Sequence, residues 1–169
     1  MATYTDKQMM QIIKQLISFS LPVLVVIIVP LSVENDLSVH SNFALVSGIV
    51  IMCTGLYVME MTISSFIRTG KGTLAPWSPT RNLVITGMYR YVRNPMILGV
   101  LTVLAGEAIV LMSRNILFWA IIFFLINNLW FLLFEEPDLE KRFGEEYKEY
   151  KRNVPRWIPR TRPYTPDLK

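Results

Sequence analysis

Three residues, Ser113-Arg114-Asn115, constrain this chain more than any others, because they are all that separates two apolar stretches of membrane-crossing length. The stretches are residues 95–112 and 116–134. At 1.5 Å per residue, ~18–20 residues reach roughly 27–30 Å, about the thickness of bilayer hydrocarbon. So short a link forces an antiparallel helical hairpin. The start of the first helix and the end of the second then face the same surface, which makes Pro95 and Glu135 neighbours.

Two further apolar runs precede the hairpin, at 12–33 and 43–67. The first is too long for a signal-peptide core and lacks a small-x-small cleavage site, so it is read as a retained span, bent near Pro22 or ending near Pro30. The second is long enough to cross with tilt. With 52% hydrophobic and 18% charged residues and a mean hydropathy of +0.38, the composition is that of a membrane protein, and 169 residues leave room for one membrane domain. The sequence therefore predicts an all-α, polytopic helical membrane protein: about four transmembrane helices at 12–33, 43–67, 95–112 and 116–134, and a C-terminal amphipathic interfacial helix. Domain 1–169 is completed by a loop, 68–94, and a tail, 135–169.

The basic residues flank these spans and form no stripe between soluble helices, so the net charge of +4 points to membrane lipid and not to nucleic acid. Loop 68–94 has Arg68, Lys71, Arg81, Arg90 and Arg93 with no acid, whereas the short links hold Glu34, Asp36, His40 and Arg114. By the positive-inside rule, both termini and the long loop are cytoplasmic. The single Cys53 and single His40 supply neither a disulfide framework nor a metal cluster, so no metal is expected. Residues 70–73, Gly-Lys-Gly-Thr, lack the spacing of a phosphate-binding loop. Trp77 suits the headgroup level.

The stretch Gly87-Met-Tyr-Arg-Tyr-Val-Arg-Asn-Pro95 concentrates polar chemistry at the hairpin's entry. Asn94 reads as an N-cap with proline at the first helical position. Arg90 and Arg93 stand beside a helix start, an arrangement that favours an anion. Across the hairpin, Glu135 and Glu136 fall at an expected helix C-terminus, where the macrodipole disfavours acids. Two acids there imply a partner, either Arg93 or Arg90 in a structural ion pair, or a ligand carrying both an anion and a cation. Beyond Pro137, Leu139, Phe143, Tyr147, Tyr150 and Val154 recur at helical spacing and predict an amphipathic helix that packs on the bundle or membrane surface and can cover the hairpin's mouth. Trp157 anchors the end.

Glu60 and Glu107 lie inside spans, where ionisable groups are functional candidates by default. Glu60 is placed near enough to the cytoplasmic end to reach water. Glu107 either bonds across to Asn127 or Asn128 or contacts substrate. Tyr89 is preferred to Tyr91 as a site ring because it follows the turn at Gly87.

Residues 87–96, the run Glu135-Glu136-Pro-Asp-Leu-Glu-Lys-Arg-Phe-Gly144, Tyr147, Tyr150 and Val154-Pro-Arg156 resemble the isoprenylcysteine carboxyl methyltransferase and phospholipid methyltransferase superfamily, and Gly72-Thr-Leu-Ala-Pro-Trp77 is similar to bacterial members. The resemblance covers about residues 70–160. It implies an integral-membrane enzyme of the bacterial inner membrane that takes S-adenosyl-L-methionine from the cytosol and methylates a lipophilic acceptor from the bilayer, a carboxylate, thiol or amine. It places Tyr89, Arg93, Asn94, Pro95, Gly99, Glu135, Glu136 and Tyr147 at the cofactor, with Arg93, Asn94 and Glu135 at the reaction centre, and leaves Glu107 and Asn127 as substrate candidates. Asn94 stands where the eukaryotic-type pattern has histidine, so this position caps and hydrogen-bonds but does not titrate. An NADPH-dependent membrane reductase related to sterol reductases and a non-enzymatic membrane scaffold remain as alternatives.

Overall fold

In the computed structural model, which describes residues 21–70 and 82–166, every regular element among those residues is helical. Helix α1 is Leu21–Val33, α2 is Asn42–Gly70, α3 is Pro95–Val110, α4 is Arg114–Trp130 and α5 is Glu136–Asn153. A 3-10 turn, Gly87–Arg90, leads towards α3. Helix α2 and the rod made by α4 and α5 are long and apolar enough to cross a membrane, and α1 and α3 are shorter apolar helices. Large side chains such as Phe43 and Phe118 are 82% and 65% exposed, a surface suited to lipid and not to water. The first half of the expected 12–33 span lies outside the described residues, as do Lys71, Gly72 and Trp77.

The hairpin forms, with a tighter turn than its apolar length suggests. Helix α3 stops at Val110 and Met112 takes a φ of 50°. Ser113 then caps α4, its Oγ accepting from Ile116 N at 3.1 Å, and donates to Glu34 on the link after α1. At its other end the rod departs from expectation. Phe131–Glu135 is a π turn in which Glu136 N–H reaches Phe131 O, and the chain continues straight into α5. The following residue, Pro137, has no N–H to give, and a π turn is one way for a helix to absorb that loss. Glu135 and Glu136 therefore do not sit at a helix C-terminus, and the macrodipole does not explain them.

The same device recurs in α1. Leu24–Ile28 is a π turn just before Pro30, and Val29 N–H goes to Leu24 O. The carbonyl of Val25 is left without its usual helical donor and accepts Trp119 Nε1 from α4 at 3.1 Å, so helix α1 passes Pro30 and runs to Val33.

Helices α2 and α3 touch backbone to backbone along a glycine seam. A Cβ on Gly55 would lie 2.8 Å from Gly99 O, and one on Gly106 would lie 2.7 Å from Gly48 O. In lipid, where apolar burial gives helices little reason to associate, such close packing is a main attraction. Met59, Val103, Leu104 and Ile116 fill the core beside it. A second core lies past the apolar spans. Tyr147, Tyr150 and Val154 of the tail pack with Tyr164, Leu83 and Ile85, so the apolar stripe of α5 is covered by the chain's own loop and terminus. The stripe is not one straight face, because Gly144, at φ 55° and ψ −127°, breaks α5 in the middle.

Candidate functional site

The hairpin geometry brings its two motifs together. Arg93 Nη1 donates to Glu136 Oε1 at 2.7 Å, its Nε donates to Val154 O at 2.9 Å, and Nη1 also reaches Tyr147 Oη at 3.4 Å. Glu136 is 2% exposed. Arg156 Nε donates to the same Oε1 at 2.7 Å, and Lys151 Nζ stands 3.0 Å from Oε2. Burial alone would raise the Glu136 carboxyl, but hydrogen bonds from Arg156 and Lys151 and the charges of Arg93 and Arg156 outweigh it, and the group is held below its ordinary value. One carboxylate thus serves three cations.

Its neighbour has a different environment. Glu135 makes no hydrogen bond or ion pair among the described residues. Burial, aided by the charges of Asp138 and Glu136 against that of Arg142, pushes its carboxyl up to about 7. It lies close enough to Tyr89 for its charge to add to the burial that pushes the phenol upward. Tyr150 Oη donates to Tyr89 O at 2.7 Å and fixes that residue's backbone.

Asn94 precedes Pro95, as expected, and its carbonyl accepts from Leu98 N at 3.1 Å. Its side chain makes no capping bond. The residue is 5% exposed, and Nδ2 is buried without a partner. The capping hydrogen bond read from the sequence is therefore absent, because the backbone ψ of 60° at Asn94 departs from the extended conformation that aims a cap's side chain at the N–H groups of the second and third helical residues. Arg90 is also used otherwise than as an anion ligand. Its Nε donates to Tyr164 O at 2.6 Å and Nη2 to Thr165 Oγ1 at 2.8 Å, and Tyr91 O accepts from Arg160 N, so the terminus is strapped over the turn.

Four residues that the sequence offers as candidates, Gly99, Glu107, Asn127 and Glu60, lie elsewhere. Gly99 belongs to the α2–α3 seam, where a Cβ would meet Met59 Cγ at 2.6 Å and Gly55 O at 3.0 Å. Glu107 is twelve residues beyond Pro95 on α3, roughly 18 Å at 1.5 Å per residue, and does not meet Asn127 or Asn128. The antiparallel hairpin sets Glu107 near the link and the two asparagines at the opposite end. Asn127 Nδ2 donates within its own helix to Phe123 O at 2.8 Å. Asn128 Oδ1 accepts from Trp157 Nε1 at 2.9 Å and Arg156 Nη1 at 3.3 Å, which joins α4 to the tail. Glu60 is exposed on α2.

Arg156, Lys151 and Asn128 are thus members of the site that spacing did not assign. The available signal was the acid-rich, base-rich α5 followed by Val154-Pro-Arg156, which places cations near Glu136 without saying which of them turn inward. Among the described residues no group of acids, histidine and cysteine is arranged to hold a metal.

A family model described as phospholipid methyltransferase matches residues 43–146, a stretch that holds α2, the hairpin, Arg93, Asn94 and both glutamates. An uncharacterised protein of Haemophilus influenzae is similar, 46% identical over 46 residues that make up 26% of this chain and 73% of that one. No solved structure matches significantly.

Proposed function

We propose, from the premise that the chain belongs to the phospholipid methyltransferase family, that it is an S-adenosylmethionine-dependent methyltransferase whose acceptor is a lipophilic carboxylate, thiol or amine reaching it from the bilayer. The observation that carries this reading is the meeting of the 87–95 turn with Glu135-Glu136, where Asn94 Nδ2 is buried without a hydrogen-bond partner and the Glu135 carboxylate makes no hydrogen bond or ion pair among the described residues. A zwitterionic cofactor with an amino-acid end and ribose hydroxyls fits such a set. Asn94 Nδ2 would donate to an acceptor oxygen, Glu135 would accept from an ammonium or hydroxyl, and Arg93 would add positive charge at the start of α3.

Bound there, the cofactor supplies a methyl group already activated on a sulfonium. The protein's contribution is then mainly alignment and exclusion of water, which the packed Tyr147, Tyr150 and Val154 core and the strapped terminus favour. A thiolate or carboxylate acceptor needs no base. An amine acceptor gives up a proton, and Glu135, poised near neutrality, is the group to take it. The reading also takes the turn, the tail and the reaction centre as cytoplasmic, as the basic loop favours.

Calorimetric titration of the detergent-purified full chain with S-adenosylmethionine and its demethylated product tests the reading. Micromolar binding that weakens about tenfold in Asn94→Ala is expected, and folded protein that binds neither compound overturns it. A second reading, a scaffold whose ion pairs only fasten helices, draws on the mutual pairing of Arg93, Glu136, Arg156 and Lys151. Arg93→Lys separates the two. Lysine keeps the charge but loses the fork that serves Val154 O and Glu136 together, so the methyltransferase should lose about tenfold in cofactor affinity. A scaffold would bind no cofactor and keep its assembly.

A further inference from the structure

A cavity of about 250 Å³ lies at the end of the bundle away from Arg93, between α1, α2 and the last turn of α3. Its walls include Val26 and Pro30 of α1, Leu37 of the following link, Met52 of α2, and Val110 and Leu111 at the end of the hairpin's first helix. Among the described residues, the one charged side chain in its lining is Glu107. We propose that this cavity binds a small lipophilic ammonium, with the Glu107 carboxylate as its counter-charge.

Among the described residues, Glu107 Oε2 is buried with no hydrogen-bond partner, and no basic residue lines the cavity to neutralise it. A buried carboxylate without a donor is costly, more so at membrane depth. An anionic occupant would be repelled, and a plain hydrocarbon would fill the walls but leave the oxygen orphaned. A cation with an apolar body satisfies both, in the way that intramembrane acids pair with ligand counter-ions. Size narrows the class further. Sites for drug-sized ligands run to ~300–1,000 Å³, so this cavity takes a compact amine or an ammonium head with its first carbons, and not a whole two-chain lipid. Its rim supports entry from the lipid side, since Ile27, Leu31 and Leu37 are about half exposed. The site is independent of the methyltransferase reading, being roughly 18 Å along α3 from Pro95.

The test is photo-crosslinking of the full chain in nanodiscs with three diazirine-bearing octyl probes: the ammonium, the alcohol and the carboxylate. The ammonium should label peptides from α1 and the 107–116 region saturably, be displaced by plain octylammonium, and exceed the other two at least about tenfold. Glu107→Gln should remove that preference. Ile27→Phe narrows the cavity from its exposed rim while keeping the carboxylate, and should lower labelling by the ammonium whether or not the first variant folds. Nanodiscs with and without an aminophospholipid identify the source. Protection by the lipid assigns its headgroup as an occupant, and no protection assigns free amines. Equal labelling by ammonium and alcohol, or an unchanged preference in Glu107→Gln with Ile27→Phe labelled like the parent, overturns the proposal.

Discussion

Glu135 and Glu136 are chemically identical neighbours, and a helical step of about 100° separates their environments. Glu136 turns towards Arg93, Arg156 and Lys151, and Glu135 turns towards Tyr89. Because the Glu136 carboxyl is held below its ordinary 4.5, its stabilisation is fully present above that value and is lost as pH falls through the lower folded-state value. Thermal unfolding in detergent should show the midpoint falling as the pH drops below 4.5, with that part of the fall missing in Glu136→Gln. At pH 7 the substitution removes the buried negative charge that three cations share and turns one acceptor oxygen into a donor, a class of change that costs about 3–5 kcal/mol; a variant as stable as the parent would show that the network holds nothing. The meeting of Arg93 with the acids was legible in the sequence because a three-residue link leaves a hairpin no other geometry. The roles of Arg156, Lys151 and Asn128 were not. They depend on the break at Gly144 and on the path of the terminus over the turn, and no periodicity encodes either. Glu107 failed as a partner of Asn127 for the opposite reason, since the hairpin that unites Arg93 and Glu136 also holds those two apart.

At the scale of elements, the α2–α3 contact is set by Gly48 and Gly55 on one helix and Gly99 and Gly106 on the other. Each pair is seven residues apart and so lies on one helical face, a pattern visible in the sequence that explains Gly99 better than a ligand does. Gly55→Ala would put a Cβ 2.8 Å from both Gly99 O and Val103 N. These are backbone atoms that no rotamer change can move aside. Overpacking of this kind costs about 1–3 kcal/mol, so the thermal midpoint should drop, whereas Cys53→Ala, at an exposed position on the same helix, should leave it within error. Equal effects would mean that the seam is looser than its geometry. The continuous rod was the element least legible in advance. Pro137 does lie in the first turn of α5, but that helix is joined to α4 through a π turn and does not start afresh, which changes the explanation of the two glutamates without changing where they are.

For the whole molecule, the number of crossings decides what the two ends can do. Helix α3 has 16 residues, roughly 24 Å, short of a ~30 Å hydrocarbon layer, so length alone leaves it outside the clear spans. Packing argues that it crosses. Its seam runs from Gly99 against Gly55 to Gly106 against Gly48, so it lies antiparallel along a helix that is long enough to span, with polar groups at both ends, Arg93 and Asn94 at one and Ser113 at the other. A crossing α3 would take the chain through the membrane three times between residues 38 and 141, by α2, α3 and α4. Were α3 to dip in and return, it would cross twice. Three crossings put the two positions on opposite faces of the membrane, and two put them on the same face. Ser38→Cys and Lys141→Cys, each in a Cys53→Ala background and treated with a membrane-impermeant maleimide on sealed cells, distinguish these outcomes. On the orientation proposed above from the basic loop and tail, residue 38 should label on intact cells and residue 141 only after permeabilisation. Labelling of both from the outside, or of neither, would reduce the crossings to two and place the Glu107 cavity within reach of the side that holds Arg93.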